Sequence, residues 1–177
     1  MWWSKAFLVV GVLTLGPAGC GFEPMYARPT GGGTTVIGTQ LSTIRVNGIQ
    51  DRKGQLLRNA LVQRLSPLGE PARPSHTLEV TLSSAQENLA ERSDGRASLG
   101  RMFVTATYRL FPMGAEQPAF SGNSRSVVSY RLLGPRYSSV AVERDAEERA
   151  LSELAEDIGN QLGTYFSSGG ANRSVTR

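Results

Sequence analysis

The chain has 177 residues but a single cysteine, Cys20, and a single histidine, His76. One thiol cannot build an internal disulfide framework. One cysteine and one histidine cannot build a His/Cys metal cluster. The serines have no histidine base with a matching acid pattern, which closes the Ser-His-acid route to acyl transfer. His76 stands beside a Pro-rich loop and reads as a surface residue rather than a base. Gly31-Gly32-Gly33 is followed by no Lys-Ser/Thr pair, so it is no phosphate loop. Glu143, Asp145, Glu147 and Glu148 resemble paired catalytic carboxylates, but they crowd the expected start of a helix. Acids there compensate the positive end of the helix dipole and form a solvated face. No enzyme is expected, with no catalytic residues, no metal and no cofactor beyond a covalent lipid. Charge imbalance is also small: 19 Lys+Arg against 15 Asp+Glu, a net +4. No basic cluster is interleaved with aromatics, so nucleic acid is not an expected partner.

Long apolar runs are scarce too. The one that stands out is Ala6 to Leu15, behind a short positive start at Lys5. It has the length of a signal-peptide apolar region and falls short of the roughly 20 residues that span a bilayer. Small residues follow, Gly16-Pro17-Ala18-Gly19, and then Cys20. A signal peptidase must fit the extended backbone before its cut into a narrow site, which favours small side chains. The arrangement resembles the bacterial lipobox, with Pro17 where Leu is usual. Residues 1–19 are therefore expected to be a lipoprotein signal peptide. Cys20 is expected to carry an S-diacylglycerol and an N-acyl (palmitate-type) chain. Each buried CH₂ of an acyl chain contributes roughly 0.8 kcal/mol, so two or three chains hold a protein on a bilayer where one does not. Gly21 takes the place of the Asp that commonly retains such proteins at the inner membrane. This points to the outer membrane, facing the periplasm.

Residues 20–39 are rich in Gly, Pro and Thr and read as a tether from the lipid to the domain. A domain then spans 40–166. Gln40 to Val46 reads as a short strand ending at the turn Asn47-Gly48. Asp51 is expected to cap a helix to Leu65, in which Leu57, Leu61 and Leu65 recur at four-residue steps. Pro67 ends it. Thr77 to Ser83 alternates as a half-buried strand: Leu78, Val80 and Leu82 against Thr77, Glu79, Thr81 and Ser83. A polar stretch with Ser93-Asp94-Gly95 at its tip leads to a longer strand, Arg101 to Phe111. There Met102, Val104, Ala106, Tyr108 and Leu110 oppose Phe103, Thr105, Thr107, Arg109 and Phe111. A turn around Gly114 to Pro118 leads to a strand from Ser121 to Leu132. A long helix from about Val140 to Phe166 follows, its glycines Gly159 and Gly163 either weakening it slightly or letting it pack closely against a sheet. Residues 167–177 lack pattern and read as a disordered tail. One sheet with both helices on one face buries every apolar stripe at once. The expected fold is α+β, two layers, with a mainly antiparallel four-stranded sheet.

The stretch Cys20-Gly21-Phe22-Glu23-Pro24-Met25-Tyr26 resembles the start of mature members of the LptE family of lipopolysaccharide-assembly lipoproteins, in its alphaproteobacterial branch. The pattern there is near Cys-Gly-Phe-x-Pro-Leu-Tyr. Met25 replaces the usual Leu, and Glu23 stands where a basic or neutral residue is more common. The likeness continues through the Leu56–Leu65 helix, through Ser93-Asp94-Gly95 followed by Arg101, and through Arg144-Asp145-Ala146-Glu147. The resemblance implies a plug within the outer-membrane β-barrel LptD, helping it assemble and helping deliver lipopolysaccharide to the cell surface without bond chemistry. It also implies that basic residues engage the anionic groups of lipid A. The matching positions are Arg92 and Arg144, with Arg96 and Arg101 as neighbouring candidates.

Other readings stay open at this level. An auxiliary lipoprotein of an ABC-type envelope lipid-transport system would share the anchor and an α+β domain. A soluble lipid carrier would need apolar residues on both faces of several strands. Only Arg101–Phe111 approaches that, through Phe103 and Phe111.

Overall fold

The computed structural model describes residues 36–91, 97–132 and 136–169. Its elements run α1 (Val36–Ser42), β1 (Ile44–Val46), α2 (Asp51–Leu65), β2 (His76–Glu91), β3 (Ala97–Pro112), β4 (Phe120–Arg131) and α3 (Arg136–Ser167). The sheet order is β1-β2-β3-β4. β2, β3 and β4 are antiparallel neighbours, and β1 joins β2 in parallel. The sheet is therefore mixed, with the expected antiparallel pairing in its larger part.

Helix α2 forms where the four-residue leucine repeat ends in polar and proline-bearing sequence. Leu57, Leu61 and Leu65 are at most 2% exposed, so the repeat is the buried stripe. Full burial of each contributes roughly 1.5–3 kcal/mol. The Ser66 N–H donates to the Val62 carbonyl and closes the last turn. Asp51 is not the capping residue. Gln50 holds the extended capping conformation without a side-chain bond, and Asp51 begins the helix at φ 67°. Aspartate is among the few residues that tolerate that left-handed region.

The strands follow their period-2 alternation. On β3, Met102, Val104, Ala106, Tyr108 and Leu110 are fully buried. Val128 and Tyr130 on β4 and Leu78 on β2 share their face. Ala150, Leu151, Leu154, Ile158 and Leu162 of α3 close the core from above, alongside α2. Two close approaches depend on glycine. Gly122 lies opposite Tyr108, and a Cβ there would meet the Tyr108 oxygen at 2.5 Å. Gly100 lies opposite Tyr130, and a Cβ there would meet the ring at 2.7 Å. Each glycine gives its cross-strand tyrosine room to lie flat on the sheet.

Several sequence expectations change. Residues 40–42 belong to α1, so only residues 44–46 of the expected first strand are extended. Residues 36–39 of the expected tether are helical, and residues 20–35 lie outside the described residues. β2 continues eight residues beyond Ser83, because the apolar start of β3 supplies a pairing partner for its polar half. A register shift between Asn88 and Ala90 marks a bulge near the hairpin tip. The Ser93-Asp94-Gly95 tip and residues 170–177 of the expected tail lie outside the described residues. Helix α3 begins at Arg136, so its first turn carries no acid. Glu143, Asp145, Glu147 and Glu148 thus lie too far along it to compensate the dipole, whose effect fades within a turn. Gly159 faces α2 rather than the sheet, since a Cβ there would meet the Arg64 side chain at 3.0 Å.

Candidate functional site

The acids of α3 serve two purposes, which the side chains across from them decide. Glu147 pairs with Lys53 of α2 at 3.1 Å, and Glu156 with Arg64 at 3.2 Å. Asp145 pairs with Arg149 one turn along at 3.1 Å. On the β4 side, the buried Ser126 hydroxyl donates to Glu153 at 2.6 Å and the buried Ser124 hydroxyl to Asp157 at 2.5 Å. Gln161 donates to the same Asp157 oxygen at 2.9 Å and accepts from the Tyr108 hydroxyl at 2.5 Å. Burial, helped by the Asp157 charge, pushes the Tyr108 hydroxyl up to about 12. Burial and Glu143 raise Tyr130 as well. A buried polar group without a partner costs about 1–3 kcal/mol, and this row leaves its serines satisfied. Each carboxylate of the row is held by hydroxyl or amide donors. The row is a seam between helix and sheet.

His76 is half-buried rather than on the surface. Its Nδ1 lies 2.8 Å from Ser75 Oγ, which lies 2.6 Å from Thr43 Oγ1. Thr43 gives its single proton to the Gln40 carbonyl at 2.7 Å. The Ser75 proton must then go to Thr43, and His76 must carry its proton on Nδ1. Its Nε2 is a buried lone pair, and the ring sits edge-on to Phe166 at 5.4 Å. Burial lowers its pKa. This histidine fastens the α1–β1 turn to the start of β2.

The sequence-derived site residues are divided. Cys20, with Gly21, Phe22, Pro24 and Tyr26, lies outside the described residues, as do Arg92 and Arg96. Arg101 lies on β3 opposite Glu87, on the face away from the helices. Arg144 is exposed on α3, in the layer that covers the other face. Both belong to the hairpin-tip end of the domain: Tyr130 pairs with Gly100 beside Arg101 and feels Glu143 beside Arg144. They share an end of the molecule without sharing a face.

The larger basic feature is that face, which no element among the described residues covers. Across β1 to β4 it presents Arg45, Arg101, Arg109, Arg125 and Arg131, against the acids Glu79 and Glu87. Arg109 pairs with Glu79 at 3.5 Å. The Arg125 guanidinium lies over the Phe103 ring at 5.0 Å, and Arg109 over Phe111 at 5.7 Å. Among the described residues, no carboxylate pairs with Arg45, Arg125 or Arg131. The signal for this face was present in the odd positions of β4, where Ser121, Asn123, Arg125, Val127, Ser129 and Arg131 alternate with buried residues. Family likeness reached it only at Arg101. A separate cavity of about 450 Å³ lies between the Asn47–Lys53 segment and the β2 edge at Glu79 to Ser84. Among the described residues no cluster of His, Cys, Asp and Glu could hold a metal ion, and no helix is long and apolar enough to cross a membrane.

With this geometry in place, the chain was compared with known proteins. A family model described as LptE, lipopolysaccharide-assembly, matches residues 41–162. No curated protein matches the chain. A crystal structure of a protein described as a lipoprotein from Caulobacter crescentus CB15 is similar with a TM-score of 0.61 and 24% identity, over 74% of this chain and 96% of that one. A minor lipoprotein from Acinetobacter baumannii gives a TM-score of 0.57 at 14% identity, over 70% and 92%. Lipoprotein B from Nitrosomonas europaea, solved in solution, gives 0.50 at 15%, over 73% and 85%. At these identities the likeness establishes a common fold.

Proposed function

The chain belongs to the LptE family of lipopolysaccharide assembly, and on that premise we propose that it is an outer-membrane lipoprotein that plugs the LptD β-barrel. In this role it assists assembly of the barrel and delivery of lipopolysaccharide to the cell surface. The observation that carries the reading is the family match over residues 41–162, which takes in every strand and most of α3. The mechanism is binding and scaffolding. The seam of serines and carboxylates is consumed in holding helix to sheet and leaves no activated nucleophile.

Anchoring falls to Cys20, carrying an S-diacylglycerol and an N-acyl chain, with its amino acid neighbours up to Tyr26 beside the membrane. Lipopolysaccharide contacts fall to Arg92, Arg96, Arg101 and Arg144. Guanidinium groups form forked, charge-assisted hydrogen bonds to phosphate and carboxylate, which suits the anionic groups of lipid A. The placement of Arg101 and Arg144 at one end of the domain supports a contact zone there. A barrel lumen is usually polar, and the polar outer surface of this domain suits it.

Purification of the tagged full-length protein from membranes in mild detergent tests the reading. LptD recovered near one-to-one, and released only on denaturation, is the expected result. Recovery of an inner-membrane ATPase complex instead would move the chain to an auxiliary role in ABC-type lipid transport. Arg144→Ala is expected to lower the lipopolysaccharide that co-purifies while leaving barrel recovery intact.

A further inference from the structure

An uncovered sheet face normally carries small polar residues and balanced charge. This one does not. Arg45, Arg125 and Arg131 have no carboxylate partner among the described residues, while Glu79 is already taken by Arg109. The excess is positive, so the face is complementary to an acidic surface. Every cation on it is arginine, as in most of the chain, whose lysines are Lys5 and Lys53. Phe103 and Val127 lie side by side at its centre, with Val127 49% exposed and Arg125 stacked over Phe103. Arginine and aromatic residues are enriched where proteins meet proteins. Thr105, Thr107, Asn123 and Ser129 fill the rows between with groups that both donate and accept hydrogen bonds.

Shape argues the same way. Three strands 4.8 Å apart, paired over a dozen residues, make a surface of roughly 14 Å by 40 Å, about 600 Å² before side-chain relief. A standard interface takes about 800 Å² from each partner. A lipid site is normally a concavity, and the cavity at Asn47–Lys53 lies at the β2 edge, touching this face at Glu79 and Thr81 and away from Phe103, Arg125 and Val127.

We propose that this open face is the surface the chain presents to an acidic stretch of the inner wall of its barrel partner. Arg45, Arg125 and Arg131 are its cationic contacts, and Phe103 and Val127 its apolar centre. The inference rests on the plug reading. Arg101, assigned above to lipopolysaccharide, closes the hairpin-tip end of the same face.

Site-specific photo-crosslinking of the full-length lipoprotein in membranes separates the two. A photoreactive residue is placed at Asn123 or Ser129 on the open face, or at exposed Ser152 on α3. Crosslinks from Asn123 and Ser129 to acidic segments of the barrel are expected. The double variant Arg125→Glu/Arg131→Glu is expected to lower barrel recovery at least tenfold, and Arg52→Glu/Arg149→Glu on the helical layer less than threefold. The neutral pair Arg125→Gln/Arg131→Gln, with an unchanged melting midpoint, replaces the reversal if that variant does not fold. Crosslinks to the barrel from Ser152 alone would remove the face and leave the plug reading. No barrel crosslink from any of the three positions would remove both. Crosslinks to lipopolysaccharide in place of the barrel from Asn123, which lies away from Arg101 on the face, or undiminished recovery of both arginine variants, would also overturn it.

Discussion

On β3, Met102, Val104, Ala106, Tyr108 and Leu110 are fully buried beneath the helices, while Phe103, Thr105, Thr107 and Arg109 on the same strand face away from them. The two faces alternate residue by residue, yet different selections act on them. The helix-side face is filled to contact, down to glycines that accept a tyrosine at 2.5–2.7 Å from where a Cβ would stand. The hydroxyls of Tyr108, Ser124 and Ser126 are handed to α3, and that of Ser84 to Lys53 of α2. The open face is shaped by charge and stacking, with guanidinium groups over aromatic rings and cations without acids. A strand can serve both because its side-chain period is two, so changing one face leaves the other in place. Stability is concentrated on one face of this sheet, and partner recognition is proposed for the other.

The sharpest separation comes from removing volume on the packed face. Ile158→Ala removes a fully buried side chain between α3 and the sheet. It is expected to cost about 3 kcal/mol, read as a lower urea midpoint with an unchanged slope. Gly122→Val tests the reverse error. Its Cβ would need the space of the Tyr108 hydroxyl, and overpacking of this kind costs about 1–3 kcal/mol. An unchanged midpoint would mean that Tyr108 can leave its bond to Gln161 at no cost.

The seam gives a smaller effect with a pH signature. The Tyr108 hydroxyl ionises near its ordinary value of 10.0 in the unfolded chain and at about 12 in the folded one. The contribution of the neutral hydroxyl is therefore complete below pH 10.0 and is lost as pH rises toward about 12. Tyr108→Phe is expected to flatten that part of the stability profile. The smallest effect on folding belongs to the open face. Arg125→Ser is expected to shift stability by less than about 0.5 kcal/mol, as exposed substitutions usually do. A loss above 1 kcal/mol would make the face part of the core's support and blur the contrast between the two.

Helix α2 was legible in the sequence to its last residue. Its leucine repeat needs only a local period of 3.6 and a proline to stop it. The alternating strands were legible for the same reason wherever an apolar face marked them: Thr77 to Ser83, Arg101 to Phe111 and Ser121 onward. The start of α3 was read four residues late, because Arg136 to Ser139 carry no apolar period. The site was less visible. Arg92, Arg96, Arg101 and Arg144 came from family likeness, which gives positions along the chain without saying that the sheet stands between Arg101 and Arg144.

What the sequence by itself determined was the set of elements, their order and which side of each is apolar, since helical and strand periods are written in neighbouring residues. Only the tertiary structure decided how far β2 runs, that the three residues of β1 join it in parallel, which acids of α3 meet serines and which meet basic side chains, and that no described element covers one face of the sheet. Those outcomes depend on partners distant in the chain. The polar half of β2 has no hydrophobic signal of its own and becomes a strand because the backbone of β3 offers hydrogen bonds beside it. An arginine in β4 belongs to a basic surface only once β1 and β3 have set their own arginines on the same side.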